Sequence, residues 1–399
     1  MMPSSSFKRP SAAALPPFVR LAAVLFVMEF VRSAFLISFL PAYAAGRLGV
    51  SVAAVGLAVS IHYVADTAVK AAAGYLVDRF SSRLMLHAAF GTTGAGLLTA
   101  FFGQQPWMLV VGAILIGIGV SPIWLLCMSE VREDNRASQM GSIYTVWLAS
   151  LGAGPVVMGF LLDRGYGVSF GVLGGLLAFG WAVALGWNVR RGISARSVPL
   201  REQLAQLGGK LAAMKPLVPG MVLQTAAAGL LVPVLPTFAT DNMGLDYSGY
   251  SLVLIVGGAA TAVGLIPMGR LSDRWGHRRF LVVGFAGLAA ALFLLLSSSG
   301  LVPSMLLAAV LGLSYAVVLP SWNALLASFV PDDQKGTGWG VLSSIEGIGV
   351  MIGPVVGGWV AGTYDPSVTV GASAVLLAGI AAFYGFFPQR RLTSPEQTE

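Results

Sequence analysis

Apolar segments of roughly 20 residues, the length that crosses a bilayer as a helix, recur along this 399-residue chain between short polar loops. Hydropathy predicts twelve such spans, at 18–44, 52–77, 84–103, 106–128, 139–162, 168–188, 216–240, 248–270, 279–299, 302–329, 337–362 and 367–388. A segment in lipid has to satisfy its own backbone hydrogen bonds, so each is expected to be an α-helix. The longest polar stretch separates spans one to six from spans seven to twelve. The expected organisation is a tail (1–17), a six-helix bundle (18–188), a linker (189–215), a second six-helix bundle (216–388) and a tail (389–399).

Composition agrees with the pattern. The chain is 56% hydrophobic and only 10% charged, with a mean hydropathy of +0.80, whereas soluble domains are about one-quarter charged. Its 50 Gly and 21 Pro suit a membrane bundle, where small residues let helices approach and proline kinks are tolerated. The net charge of +7 is topological. An even number of spans puts both termini on one side, and that side carries Lys8, Arg9, Arg79, Arg83, Arg132, Arg136, Arg190, Arg191, Arg270, Arg274, Arg278, Arg279, Arg390 and Arg391 among others; the opposite side carries Arg47 and Arg164. The positive-inside rule then places both termini in the cytoplasm, in the cell (cytoplasmic) membrane. Nucleic acid has no support as a partner. The single cysteine, Cys127, excludes an intrachain disulfide or a cysteine metal cluster. Residues 1–17 do not read as a cleaved signal, because the apolar run that follows is long and carries charge. Within the linker, residues 200–214 fit a short amphipathic surface helix and a plain connector equally well.

The two halves repeat each other. GYLVDRFSSRL at 74–84 returns as GRLSDRWGHRR at 269–279, aligning Gly74, Asp78, Arg79 and Arg83 with Gly269, Asp273, Arg274 and Arg278. Pro122-Ile-Trp124 in span four returns as Pro320-Ser-Trp322 in span ten, and Gly154-Pro155 in span five as Gly353-Pro354 in span eleven. Collinear matches at corresponding spans indicate an internal duplication. The acid and arginines of the first motif suit a charge pair that links neighbouring helices in one conformation and releases them in another, a reading favoured over loop charges that serve topology alone because the spacing repeats in both halves.

Ionisable groups inside the spans carry the candidate chemistry, since they are costly in lipid and are expected to face a bundle interior or an aqueous cavity. Glu29 and Arg32 lie three apart in the middle of span one and share a helix face. His62, Asp66 and Lys70 follow at four-residue intervals in span two, with Asp66 about 22 Å below the span's outer end. Together they suit a proton switch, because burial and a neighbouring arginine push a carboxyl's protonation in opposite directions. Either Glu29 or Asp66 fits as the proton carrier. Trp124 and Trp147 suit a pyranose, whose apolar face lies on an indole; helix packing is the alternative. The second half offers only Glu346 as a charge at depth, with Gln224 and Asn323 beside it in polarity, and apolar runs such as 230–235 and 317–319. An amphiphile is thus expected to set its headgroup against the first half and its acyl chains against the second.

Six plus six helices with G-x-L-x-D-R-x-x-x-R after spans two and eight resemble the major facilitator superfamily over the whole chain. The resemblance implies an all-α membrane fold of two pseudo-symmetric six-helix bundles rocking about a central site. The glycine-proline pairs of spans five and eleven are similar to that superfamily's antiporter motif, although the arginine usual in helix four of its drug antiporters is missing from LVVGAILIGIGVSPIWLLCM. MEFVR at 28–32, SIHYVAD at 60–66, GVSPIW at 119–124, VREDNRASQMGSIYTVW at 131–147, LVPVLPTFAT at 231–240, LPSWNALLASFVPDDQ at 319–334 and WGVLSSIEGIGVMIGP at 339–354 resemble the flippases that carry the glycolipid anchor of lipoteichoic acid. That resemblance implies proton-coupled movement of a diglucosyl diacylglycerol to the outer leaflet. It assigns Glu29, Arg32 and Asp66 to coupling, and Trp124, Trp147, Arg32, Lys70 and His62 to the headgroup. Glu346 departs from the pattern, where an uncharged amide is expected.

The expected function is a secondary transporter, not an enzyme, that flips a glycolipid in exchange for protons without a cofactor. A proton-coupled exporter of drugs or other amphiphiles is the alternative, and a non-transporting sensor or scaffold is a third. No G-x-x-x-x-G-K-[ST] loop for ATP and no zinc-type H-x-x-x-H spacing occurs in the sequence.

Overall fold

The computed structural model describes residues 17–79, 81–103, 105–129, 136–185, 217–327 and 335–386. These form helices and no strand. Among the described residues eleven helices are long and apolar enough to cross a membrane, and a bent pair, counted as one span, brings the number to twelve. In chain order they are α1 (Pro17–Ser33, a π-helical stretch Ala34–Phe39, and Leu40–Leu48), α2 (Val52–Arg79), α3 (Ser82–Phe102), α4 (Pro106–Ser129), α5 (Arg136–Leu162) and α6 (Tyr166–Leu185). The second half has α7 (Val218–Leu231 and Leu235–Asp241), α8 (Tyr247–Trp275), α9 (His277–Leu295), α10 (Leu301–Ala327), α11 (Lys335–Thr363) and α12 (Pro366–Phe386).

The duplication seen in sequence is realised in packing. In the first half α1 packs on α5 and α6, α2 on α4, and α3 on α4; in the second, α7 packs on α11 and α12, α8 on α10, and α9 on α10. Each half has its own apolar core, with Phe35, Phe39 and Phe90 fully buried in the first and Phe238, Phe285 and Tyr384 in the second. Two spans depart from simple helices. The two pieces of α7 meet at a bend of 46°, because Pro233 and Pro236 have no amide hydrogen to continue the ladder. In α1 the turn widens into the π-helical stretch just beyond Arg32, where Ser33 donates to the Ser150 carbonyl (3.2 Å) and Ser38 to that of Pro155 (3.3 Å) on α5. Wide turns of this kind are frequent at functional sites.

Among the described residues the halves meet chiefly along two pairs, α2 with α11 and α5 with α8, with a smaller contact between Leu40–Leu48 of α1 and Leu235–Asp241 of α7. At the first crossing, a side chain on Gly56 would collide with the Pro354 carbonyl oxygen and lie 3.0 Å from the Gly358 Cα. Only glycine lets the two backbones approach so closely. At the second, the Asp163 carboxylate at the end of α5 accepts from the backbone amides of Tyr247 (3.2 Å) and Ser248 (2.7 Å) that open α8. This is a helix cap supplied by the other half. These contacts all lie toward the ends of the helices remote from the arginine-rich loops, so the molecule is closed on the face opposite the basic one.

Candidate functional site

The charged residues at depth come together in the first half. From α1, Arg32 donates to Glu29 through both Nε (2.8 Å) and Nη2 (2.5 Å), each to Oε2. Both residues are buried, Glu29 at 5% and Arg32 at 9% exposure. Tyr63 and Asp66 on α2 are the next groups within electrostatic reach of the guanidinium. The Asp66 carboxylate takes Lys70 Nζ on one oxygen (2.7 Å) and the Ser121 hydroxyl on the other (2.5 Å). The i, i+4 spacing read from the sequence thus becomes an ion pair, with Asp66 buried and the Lys70 side chain 44% exposed.

His62, one turn before Asp66, is fully buried, and its Nδ1 lies 2.9 Å from the Ala113 carbonyl on α4. Since a carbonyl only accepts, Nδ1 carries the proton. Nε2 is buried without a hydrogen bond. Trp124 on α4 and Trp147 on α5 meet edge to face with ring centroids 6.2 Å apart, both partly buried. Pro122, inside α4, immediately follows Ser121.

The second half holds a smaller polar group. On α11 the Glu346 Oε1 accepts from the Trp322 indole N–H of α10 (3.0 Å) and from the Gln224 amide of α7 (3.2 Å). Thr225 donates to the Glu346 carbonyl (2.8 Å). Asn323 is exposed and is not among these partners. Both ion pairs among the described residues belong to the first half.

The repeated loops present different geometries. Asp273 and Arg274 are exposed, while Arg278 donates from Nε to the Tyr384 carbonyl (2.8 Å) and from Nη2 to that of Gly385 (2.6 Å). The arginine closes the last turn of α12, where carbonyls lack helical partners. Gly269, one turn earlier, faces Pro320 at ordinary van der Waals distance. Arg83 is exposed, and the side chains of Asp78 and Arg79, with Gly74 in the same stretch, lie outside the described set.

Two groups escape a reading of the sequence. Ser121 sits inside the GVSPIW segment but shows its role only when α4 lies beside α2. Trp322 is flagged by the repeat of Pro122-Ile-Trp124, yet its acceptor, Glu346, is visible only in the fold.

The model of the Major Facilitator Superfamily matches residues 21–216 and 217–399. The chain belongs to that superfamily. It is 32% identical over 380 residues to the proton-coupled antiporter flippase LtaA of Staphylococcus saprophyticus, covering 93% of this chain and 94% of the relative. The protein of the same name from Staphylococcus aureus (strain N315) gives 32% over 379 residues with the same coverage. Solved structures with the same fold include the nucleoside transporter NupG (TM-score 0.74, 14% identity, 94% of this chain and 100% of that one). A bacterial homologue of the lysosomal transporter Spinster, solved in an inward-facing and unoccupied conformation, gives a TM-score of 0.69 at 15% identity, over 93% of this chain and 97% of that one. The protein is therefore a multi-pass membrane transporter with the two-bundle major facilitator fold.

Proposed function

We propose that this transporter is a proton-coupled flippase for a glycolipid, a diglucosyl diacylglycerol of the lipoteichoic-acid anchor type, moved from the cytoplasmic to the outer leaflet of the cell membrane. The observation that carries the reading is the first-half cluster at membrane depth. There a buried arginine is held by Glu29, the Asp66 carboxylate by Lys70 and Ser121, and two tryptophans pair on the neighbouring helices. The name of the 32%-identical relatives supports it.

In this reading the termini and basic loops are cytoplasmic, and closure of the opposite face makes the observed state the one that loads from the cytoplasmic leaflet. The headgroup reaches Arg32, Lys70, His62 and the two indoles, while the acyl chains lie against apolar surface of the second half. Arg32 bonds a sugar hydroxyl or a carboxylate, and a change of its partner shifts protonation at Glu29 or Asp66. Coupling follows when the protonated and loaded states favour opposite orientations of the halves. The repeated loops at Asp78 and Asp273 take part in gating.

The substrate is tested by reconstituting the purified protein into proteoliposomes and measuring leaflet exchange of fluorescent diglucosyl diacylglycerol beside efflux of cationic dyes. Glycolipid exchange without dye efflux supports the flippase. Dye efflux without glycolipid exchange replaces it by an exporter of amphiphiles, and neither activity, in a folded preparation, points to a non-transporting role.

A further inference from the structure

We propose that the cavity at the α8–α9 junction is a binding site for an anionic phospholipid of the leaflet on the basic face, with the phosphate held by Arg274 and Arg279 and an acyl chain lying along the exposed side of α9. The site belongs to the periphery of the second half, and it stands whichever substrate the transporter carries.

A one-residue turn makes the cavity. Gly276, at φ 93°, joins α8 directly to α9, a backbone conformation that glycine adopts without a side-chain clash. The last turn of α8 and the first turn of α9 are thereby brought together. Between them and the end of α12 lies a cavity of about 700 Å³, lined by Arg274, Arg278, Arg279, Trp275, Val282 and Val283 among others. Arg278 is fixed in this wall by its bonds to the Tyr384 and Gly385 carbonyls, so α12 is tied to the same junction. Neither α9 nor α12 takes part in the main crossings between the halves.

The lining is amphiphilic, and this indicates the ligand. Three arginines line the cavity and no acid does. Asp273, next to Arg274 in the chain, is exposed and pairs with none of them, since both ion pairs among the described residues lie in the first half. Arg278 spends its Nε and Nη2 on carbonyls. Arg274 and Arg279 are exposed and make no hydrogen bond among the described residues, so both guanidinium forks are available to phosphate oxygens. The rest of the lining is apolar, with Trp275 62% and Val283 66% exposed. A free anion gains nothing from these side chains, whereas a tryptophan beside arginines suits the headgroup level of a bilayer. From Arg279 the exposed residues of α9 continue through Val283, Ala286, Ala290 and Phe293, at alternating steps of four and three. That spacing makes one apolar stripe along the helix, and its two alanines leave room for an acyl chain. A basic cavity between membrane helices on the arginine-rich face is the kind of place that holds a lipid phosphate.

The test is native mass spectrometry of the delipidated full-length protein, titrated with dioleoylphosphatidylglycerol and, separately, with dioleoylphosphatidylcholine, reading the affinity for the first lipid bound. The wild type is expected to bind the anionic lipid at least tenfold more tightly than the zwitterionic one. Arg279→Gln is expected to weaken the anionic lipid about fivefold, and Arg274→Gln with Arg279→Gln at least tenfold. Arg270→Gln removes an exposed arginine of the same face that does not line the cavity, and is expected to change the affinity less than twofold. The single Arg279 variant carries the comparison if the double variant has a lowered thermal unfolding temperature. Equal losses in the Arg270 and Arg279 variants overturn the site in favour of a diffuse surface field, and no loss in either Arg279 variant overturns it outright. Equal affinity for the two lipids overturns the phosphate assignment. Displacement of phosphatidylglycerol by millimolar inorganic phosphate overturns the lipid in favour of a free anion.

Discussion

Replacing Gly56 by alanine should open the face that the structure closes. The new methyl group would collide with the Pro354 carbonyl oxygen and lie 3.1 Å from its carbon and 3.0 Å from the Gly358 Cα, where ordinary contacts begin at 3.4 Å. All three neighbours are backbone, so no side-chain rotation relieves the overlap and α2 has to move away from α11. Overpacking of this kind costs about 1–3 kcal/mol. The cost falls only on the state in which the two helices cross, so the closed-to-open ratio drops by about 5- to 140-fold. Spin labels on cysteines at Arg164 and Tyr364, exposed residues of the two halves on this face, report the opening in double electron–electron resonance once the buried Cys127 is replaced by alanine. The distance distribution should shift to longer values in Gly56→Ala. Gly174→Ala, with nothing within 4 Å of the added methyl, should leave it unchanged. An unaltered distribution in the Gly56 variant, or the same shift in both, refutes a glycine-dependent closure.

The cap across the halves predicts the same direction by another route. Asp163→Ala removes the acceptor for two amides at the start of α8, worth about 0.5–2 kcal/mol by analogy with helix caps, and should lengthen the same label distance; Asp163→Asn should do so less. Glu29→Gln leaves Arg32 buried without its anion, which costs about 3–5 kcal/mol. The thermal unfolding temperature should fall, and Glu29→Gln with Arg32→Met should recover most of it; a double variant as unstable as the single contradicts the pair. Trp124→Ala removes one ring of the aromatic pair and should weaken glycolipid binding by about tenfold with no matching loss of unfolding temperature, whereas a purely packing role predicts the reverse.

The spans were legible because a bilayer imposes one long apolar helix after another, and the repeat was legible because both halves keep the same punctuation. Hydropathy alone runs span seven through as continuous, although Pro233 and Pro236 stand in its sequence. Two prolines close together allow either a kink or a break, and packing decides which. Nothing in AFLISF announces the widened turn after Arg32, which follows from how α1 lies on α5. Within the site, neighbours on one helix were readable from spacing alone: Glu29 with Arg32, and Asp66 with Lys70. Partners on other helices were not, and these include Ser121 on Asp66, the Ala113 carbonyl on His62, and Trp322 and Gln224 on Glu346. In the second half Arg278 holds the last carbonyls of α12, a contact with backbone that leaves no trace in side-chain spacing.

The central claim is that the Glu29–Arg32–Asp66 cluster couples protons to movement of a glycolipid. Leaflet exchange of labelled diglucosyl diacylglycerol in proteoliposomes, with and without an imposed proton gradient, tests it in wild type, Asp66→Asn and Glu29→Gln. The account predicts gradient-stimulated exchange in the wild type and loss of that stimulation in at least one of the two variants while the protein stays folded. Stimulation that persists undiminished in both variants contradicts it.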